Sequence, residues 1–139
     1  MSAHVTAALI AMGVYGVAAL FLRLALRTYP SESAIVLVNA FLVGLGLVWA
    51  LTRGVNVIGN VGWNVPTLYI VIAGLLISVA IIAFYTALAR GPVSVVVPIF
   101  AMNFAVAAAL GFLVLREPVT AARVAGVALG AVSLYLLTR

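Results

Sequence analysis

The stretch from about Val93 to Leu115 contains no charged side chain. A run of this length is what a helix needs to cross the hydrocarbon core of a bilayer, roughly 20 predominantly apolar residues. The rest of the chain follows the same rule. Of its 139 residues, 68% are hydrophobic and only 6% are charged, against about a quarter charged in an ordinary soluble domain. Seven arginines and two glutamates cannot cover the surface of a soluble protein this small, most of whose side chains stay near water. A lipid-facing surface removes the problem, because apolar side chains are the solvated ones there. The chain is therefore expected to be an all-α polytopic membrane protein.

Five spans are expected. The first runs from about Val5 to Leu22 and ends at Arg23 and Arg27. After Tyr29 and Pro30 a helix restarts, with Ser31 placed to cap it and Glu32 favourable in its first turn. The second span covers about 33–51 and stops at Arg53-Gly54. Residues 54–65 form the longest connection, whose Gly and Asn content disfavours helix, while Val55, Val57, Ile58, Val61 and Trp63 keep it apolar enough for the headgroup region. Pro66 suits the first turn of a third span over 67–89. A fourth covers 93–115 and a fifth 119–138. Only 15 residues separate Arg123 from Arg139, roughly 22 Å of helix. The alternative is thus four spans plus one interfacial helix. The first run has no basic segment before it and reads as a retained span, not a removed signal peptide.

The net charge of +5 comes from arginines scattered singly between apolar runs. No basic patch forms, so nucleic acid is not an expected partner; the arginines read as anchors that snorkel to headgroups. There is no cysteine, which excludes disulfides and thiolate metal sites. No metal site and no cofactor are expected. With five spans the termini fall on opposite sides of the membrane. Arg53, Arg116 and Arg123 share the side of the N-terminus, and Arg23, Arg27, Arg90 and Arg139 the other. Lys/Arg excess normally sets orientation; three against four sets almost none. Either one orientation is fixed by insertion order or a partner, or the chain inserts both ways and pairs with an inverted copy.

The last third carries the most specific pattern. Tyr85-Thr86-Ala87-Leu88-Ala89 is followed by Arg90, the turn Gly91-Pro92, the charge-free span containing Pro98, and then Leu115-Arg116-Glu117-Pro118-Val119-Thr120. This ordered set resembles the EamA repeat of the drug/metabolite transporter superfamily, with Gly91, Pro92 and Glu117 as its structural motif. The resemblance covers essentially the whole chain and is strongest from Phe84 onward. One departure is that Asn103-Phe104 stands where many repeats have a second proline. The resemblance implies a multi-pass protein of a prokaryotic plasma membrane and a small-molecule substrate. Most members carry two repeats of inverted topology, a common transporter architecture. One five-span repeat can reproduce that symmetry only as an antiparallel homodimer. The small multidrug resistance proteins, distant relatives, do so with four spans.

Intramembrane polar groups are costly unless partnered or hydrated, so they are the candidates for substrate contact. Tyr15, Asn39, Ser78 and Asn103 lie near the middle of their runs, with Tyr85 and Thr86 nearer the end of the third. Each can instead bond its own helix or hold two helices together. Pro98 removes a backbone donor inside the fourth span; it marks either a cavity wall or a plain kink. Ala122, Gly126 and Gly130 recur every fourth residue, with Ser133 on the same face. Such spacing allows close helix approach, to another subunit or to the chain's own fourth span. Glu117, beside Arg116 at a helix boundary, reads as structural. His4 reads as an interfacial terminal residue.

The function expected from these features is alternating-access transport of a small metabolite or drug. Proton antiport through a buried acid is not expected, because no span holds a mid-membrane carboxylate. A flippase for undecaprenyl-type lipid-linked sugars is an alternative, favoured by a lateral opening lined by Arg23 or Arg90. A non-transporting scaffold subunit is another, and predicts a packed dimer without a cavity. An enzyme is not expected: one His, no Cys and no Asp suggest no nucleophile–base pair.

Overall fold

Six helical segments make up the chain in a computed structural model that describes residues 3–59, 61–137 and 139. They are α1 (Ala3–Ala25), α2 (Ser31–Thr52), α3 (Val65–Arg90), α4 (Val93–Ala101), α5 (Asn103–Leu113) and α6 (Ala121–Leu137). The segments α4 and α5 together form one apolar span, Val93–Leu113, so four helices are long and apolar enough to cross a membrane. The shorter α6, of 17 residues, is a fifth apolar helix. No strand occurs among the described residues. The fold is an all-helical polytopic membrane protein.

The helix ends show why the chain turns where it does. Pro30, extended at φ −58°, ψ 144°, is the N-cap of α2, and its carbonyl accepts the first helical bond from Ala34 N at 3.1 Å. Ser31 is not the cap: it lies inside the first turn, and its Oγ is 3.3 Å from Glu32 Oε2. Proline had already set the extended backbone a cap needs. At the other end Val55 N bonds Ala50 O and Gly54 N bonds Leu51 O, both at 3.0 Å. These are the paired bonds of a Schellman termination, and they place Gly54 at φ +66°, where L side chains are disfavoured. Asn64 caps α3, its Oδ1 accepting from Thr67 N at 2.9 Å. Thr120 caps α6 more loosely, its Oγ1 3.3 Å from Arg123 N.

Between α4 and α5 the span breaks at Met102, not at Pro98. The Met102 amide is shared between the carbonyls of Pro98 and Ile99, at 3.2 and 3.1 Å, and Met102 flattens to ψ −4°. That is a local tightening toward 3₁₀ geometry. Pro98 remains helical within α4, and its missing N–H leaves the Ser94 carbonyl without its usual helical donor.

The chain divides into two compact units. One comprises the residues up to Phe21 with Arg90–Arg139, and within it α4, α5 and α6 contact one another pairwise. The other is Leu22–Ala89; Leu26, Ala34, Phe84, Tyr85 and Leu88 of this unit are buried, Leu88 completely. Most other apolar side chains are exposed, as suits residues that meet lipid.

Candidate functional site

In the second unit, Arg23 of α1 meets the end of α3. Its Nη1 donates to the carbonyls of Leu88 and Ala89, each at 2.7 Å. The last carbonyls of a helix lack intrahelical donors and carry its partial negative charge. A guanidinium there makes charge-assisted bonds. Sequence alone presents Arg23 as a headgroup anchor; the structure gives it to the backbone of α3. Nothing local to Arg23 announces that partner, which stands 65 residues away.

The polar candidates of this unit turn toward their own helices. Asn39 Nδ2 donates to Ile35 O at 2.8 Å, Ser78 Oγ to Gly74 O at 2.7 Å and Thr86 Oγ1 to Ile82 O at 2.8 Å. All three are bonds to the preceding turn, a common way for a helix to satisfy a polar side chain in lipid. Tyr85 is buried and meets the ring of Phe84 edge-on, with centroids 6.2 Å apart. The aromatic pair and Leu88 thus form the packed end of α3, beside the Arg23 bonds.

In the first unit, Tyr15 of α1 stacks on Phe100 of α4, with ring centroids 6.3 Å apart and planes 14° from parallel. Tyr15 keeps 46% of its surface exposed. Phe100 was not singled out by the sequence, since an aromatic in an apolar span carries no signal of its own. Asn103 is exposed at the first residue of α5, next to the break at Met102. Tyr15 and Asn103 therefore belong to one unit, and Asn39, Ser78 and Tyr85 to the other.

The small-residue stripe of α6 does two different things. A Cβ on Gly130 would lie 2.5 Å from Cζ of Phe104, so the α5 ring occupies the space a side chain would take. Gly130 thus packs against the chain's own fourth span. A Cβ on Gly126 would meet nothing within 4 Å. Ala122 and Ser133 are exposed.

Glu117 pairs across the α5–α6 connection and not with its neighbour Arg116. Its Oε2 is 3.6 Å from Nη1 of Arg123, both side chains being 51% exposed. The same Nη1 donates to Pro118 O at 3.1 Å. The backbone N–H of Glu117 bonds Gly111 O at 3.1 Å, and its carboxylate lies where a Cβ on Gly111 would be 3.5 Å away. Arg116 holds φ +54°, the left-handed backbone usually left to glycine. Glu117 thereby ties the end of α5 to the start of α6. An open groove of about 370 Å³ lies alongside, lined by Phe104, Ala108, Phe112, Glu117, Arg123, Gly126 and Val127. No cluster of metal-ligating side chains occurs among the described residues.

Neither a curated protein nor a solved structure matches the chain. The sequence profile of the EamA-like transporter family matches residues 3–139. With the profile covering nearly its whole length, the chain belongs to the EamA-like transporter family.

Proposed function

We propose that this chain moves small metabolites or drugs across a prokaryotic plasma membrane by alternating access, as an antiparallel homodimer of dual topology. The family match over residues 3–139 is the observation that carries the reading, since it supports a membrane transporter. The near-even division of arginines, three on one side and four on the other, supports insertion in both orientations. In that assembly the inverted copies supply the symmetry that paired repeats supply in a single chain. Tyr15, Asn39, Ser78, Tyr85 and Asn103 are the proposed cavity residues, with Pro98 on its wall. Among them Tyr15 and Asn103 are the best placed, being exposed in one compact unit, Tyr15 against Phe100 and Asn103 beside the break at Met102. The position of Arg23, engaged with the carbonyls of Leu88 and Ala89, favours a solute over a lipid-linked sugar. A flippase would place that guanidinium or the one of Arg90 at a lateral opening, and Arg23 is committed to the α3 backbone instead.

The deciding experiment maps both termini with reporters active on only one side of the membrane. Dual topology gives signal from each terminus on both sides, in cells lacking any homologous partner. A single orientation under those conditions rules out the antiparallel homodimer. Uptake by proteoliposomes tests transport itself and separates the transporter from a scaffold subunit.

A further inference from the structure

The groove between α5 and α6 joins a charged end to an apolar one. Its two ends differ. At one end Glu117 and Arg123 hold opposite charges 3.6 Å apart, at the connection where the chain leaves the apolar span. From there the wall runs along α5 through Phe112 and Ala108 to Phe104, eight residues or about 12 Å of helix. Phe104 closes the deep end by packing on Gly130. Gly126, with no atom within 4 Å of its Cβ position, leaves the floor open. The volume of about 370 Å³ takes the upper part of one acyl chain, the remainder of the lipid staying in the bilayer.

The geometry points to this groove as a binding site for one membrane phospholipid, its zwitterionic headgroup on Glu117 and Arg123 and one acyl chain along Phe112, Ala108 and Phe104. Charge complementarity selects the occupant. A phosphoethanolamine headgroup brings a phosphate for the guanidinium and an ammonium for the carboxylate, each a charge-assisted bond. A phosphocholine keeps the charge but donates no hydrogen bond to Glu117. An anionic headgroup without an amine sets its phosphate against that carboxylate. A helix of a second copy would fill the apolar part and bring no complementary charges to the Glu117–Arg123 pair. The site is independent of the transport reading, because the lipid is held rather than carried.

Native mass spectrometry of the full chain in detergent, with added dioleoyl phosphatidylethanolamine, phosphatidylcholine or phosphatidylglycerol, tests the site. One phosphatidylethanolamine per chain is expected at about tenfold lower lipid concentration than phosphatidylglycerol, as one charge-assisted bond gained requires. Gly126→Leu fills the floor without a steric neighbour and is expected to abolish retention. Glu117→Gln is expected to retain a lipid but lose the preference for phosphatidylethanolamine. Equal retention of all three lipids, unchanged by Gly126→Leu, overturns the proposal. So does a dimer without lipid that dissociates on Gly126→Leu, which would put a second copy in the groove. If Gly126→Leu loses its helical circular dichroism, Glu117→Gln and Arg123→Gln decide: an undiminished headgroup preference in both overturns the site.

Discussion

Arg23 holds the end of α3 through the carbonyl of Leu88, a residue with none of its surface exposed. Removing the guanidinium leaves that carbonyl and its neighbour at a helix end without this donor. Arg23→Ala is expected to cost about 1.5–3 kcal/mol, the usual range for a hydrogen bond to a charged group. Thermal unfolding in detergent checks it. Transport should fall only in proportion to the folded fraction; a lost activity at full stability would instead put Arg23 at the substrate.

Gly130 and Gly126 should part company. Gly130→Ala drives a methyl into the Phe104 ring and is expected to destabilise by about 1–3 kcal/mol. Gly126→Ala enters open space and should be neutral or stabilising by up to about 1 kcal/mol through helix propensity. Repeating Gly130→Ala in a Phe104→Leu background isolates the contact: the two effects should be strongly non-additive.

Two left-handed positions predict opposite signs. Gly54 sits at φ +66° and Arg116 at φ +54°. Gly54→Ala is expected to destabilise by about 1 kcal/mol or more, and Arg116→Gly to stabilise by about 1 kcal/mol. The same unfolding measurement reads both. Under the proposed five-span topology Arg116→Gly also shifts the arginine balance to two against four, so its effect on topology is measured alongside.

Tyr15→Phe preserves the stack on Phe100 and should leave transport near that of the unaltered protein. Tyr15→Ala removes a pair worth about 0.5–1.5 kcal/mol of stability and, as the loss of a ring from the proposed cavity, should raise KM. Unchanged KM in both variants would take Tyr15 out of the proposed cavity.

Thr86→Ala should change transport by no more than about twofold, since its hydroxyl bonds its own preceding turn. A larger loss in initial-rate uptake would mean that the hydroxyl leaves its helix to meet substrate, the behaviour expected of Ser78 as a proposed cavity residue.

What could be read from the residues and what could not follows a physical line. Apolar length and the punctuation by Pro30, Gly54, Pro66 and Gly91-Pro92 are local properties, so the spans are legible to within a few residues. Caps are local too, yet several local solutions compete at each end. Ser31, Asn64 and Thr120 all have capping side chains, and Pro30 made the first unnecessary. The Arg23–Leu88 and Phe104–Gly130 contacts depend on how separate helices approach, which no spacing within one helix encodes. The break at Met102 lies four residues beyond the proline that sequence points to. Polar residues in apolar runs are conspicuous, but whether one faces a cavity or its own backbone is a matter of rotamer. Asn39 and Ser78 each bond the turn before them in this structure, a rotamer choice that spacing does not encode.

The lengths of the helices have a consequence for the lipid itself. At 1.5 Å per residue the 26 residues of α3 span about 39 Å and the 17 of α6 about 25 Å, against a hydrocarbon core of about 30 Å. No single bilayer thickness matches both. The longer helix accommodates by tilting; α6 crosses only where the membrane thins or where Arg123 and Arg139 reach outward past its ends. With α6 as a fifth span, hydrophobic mismatch of opposite sign is built into one short chain, and its folding and activity are expected to respond to acyl-chain length.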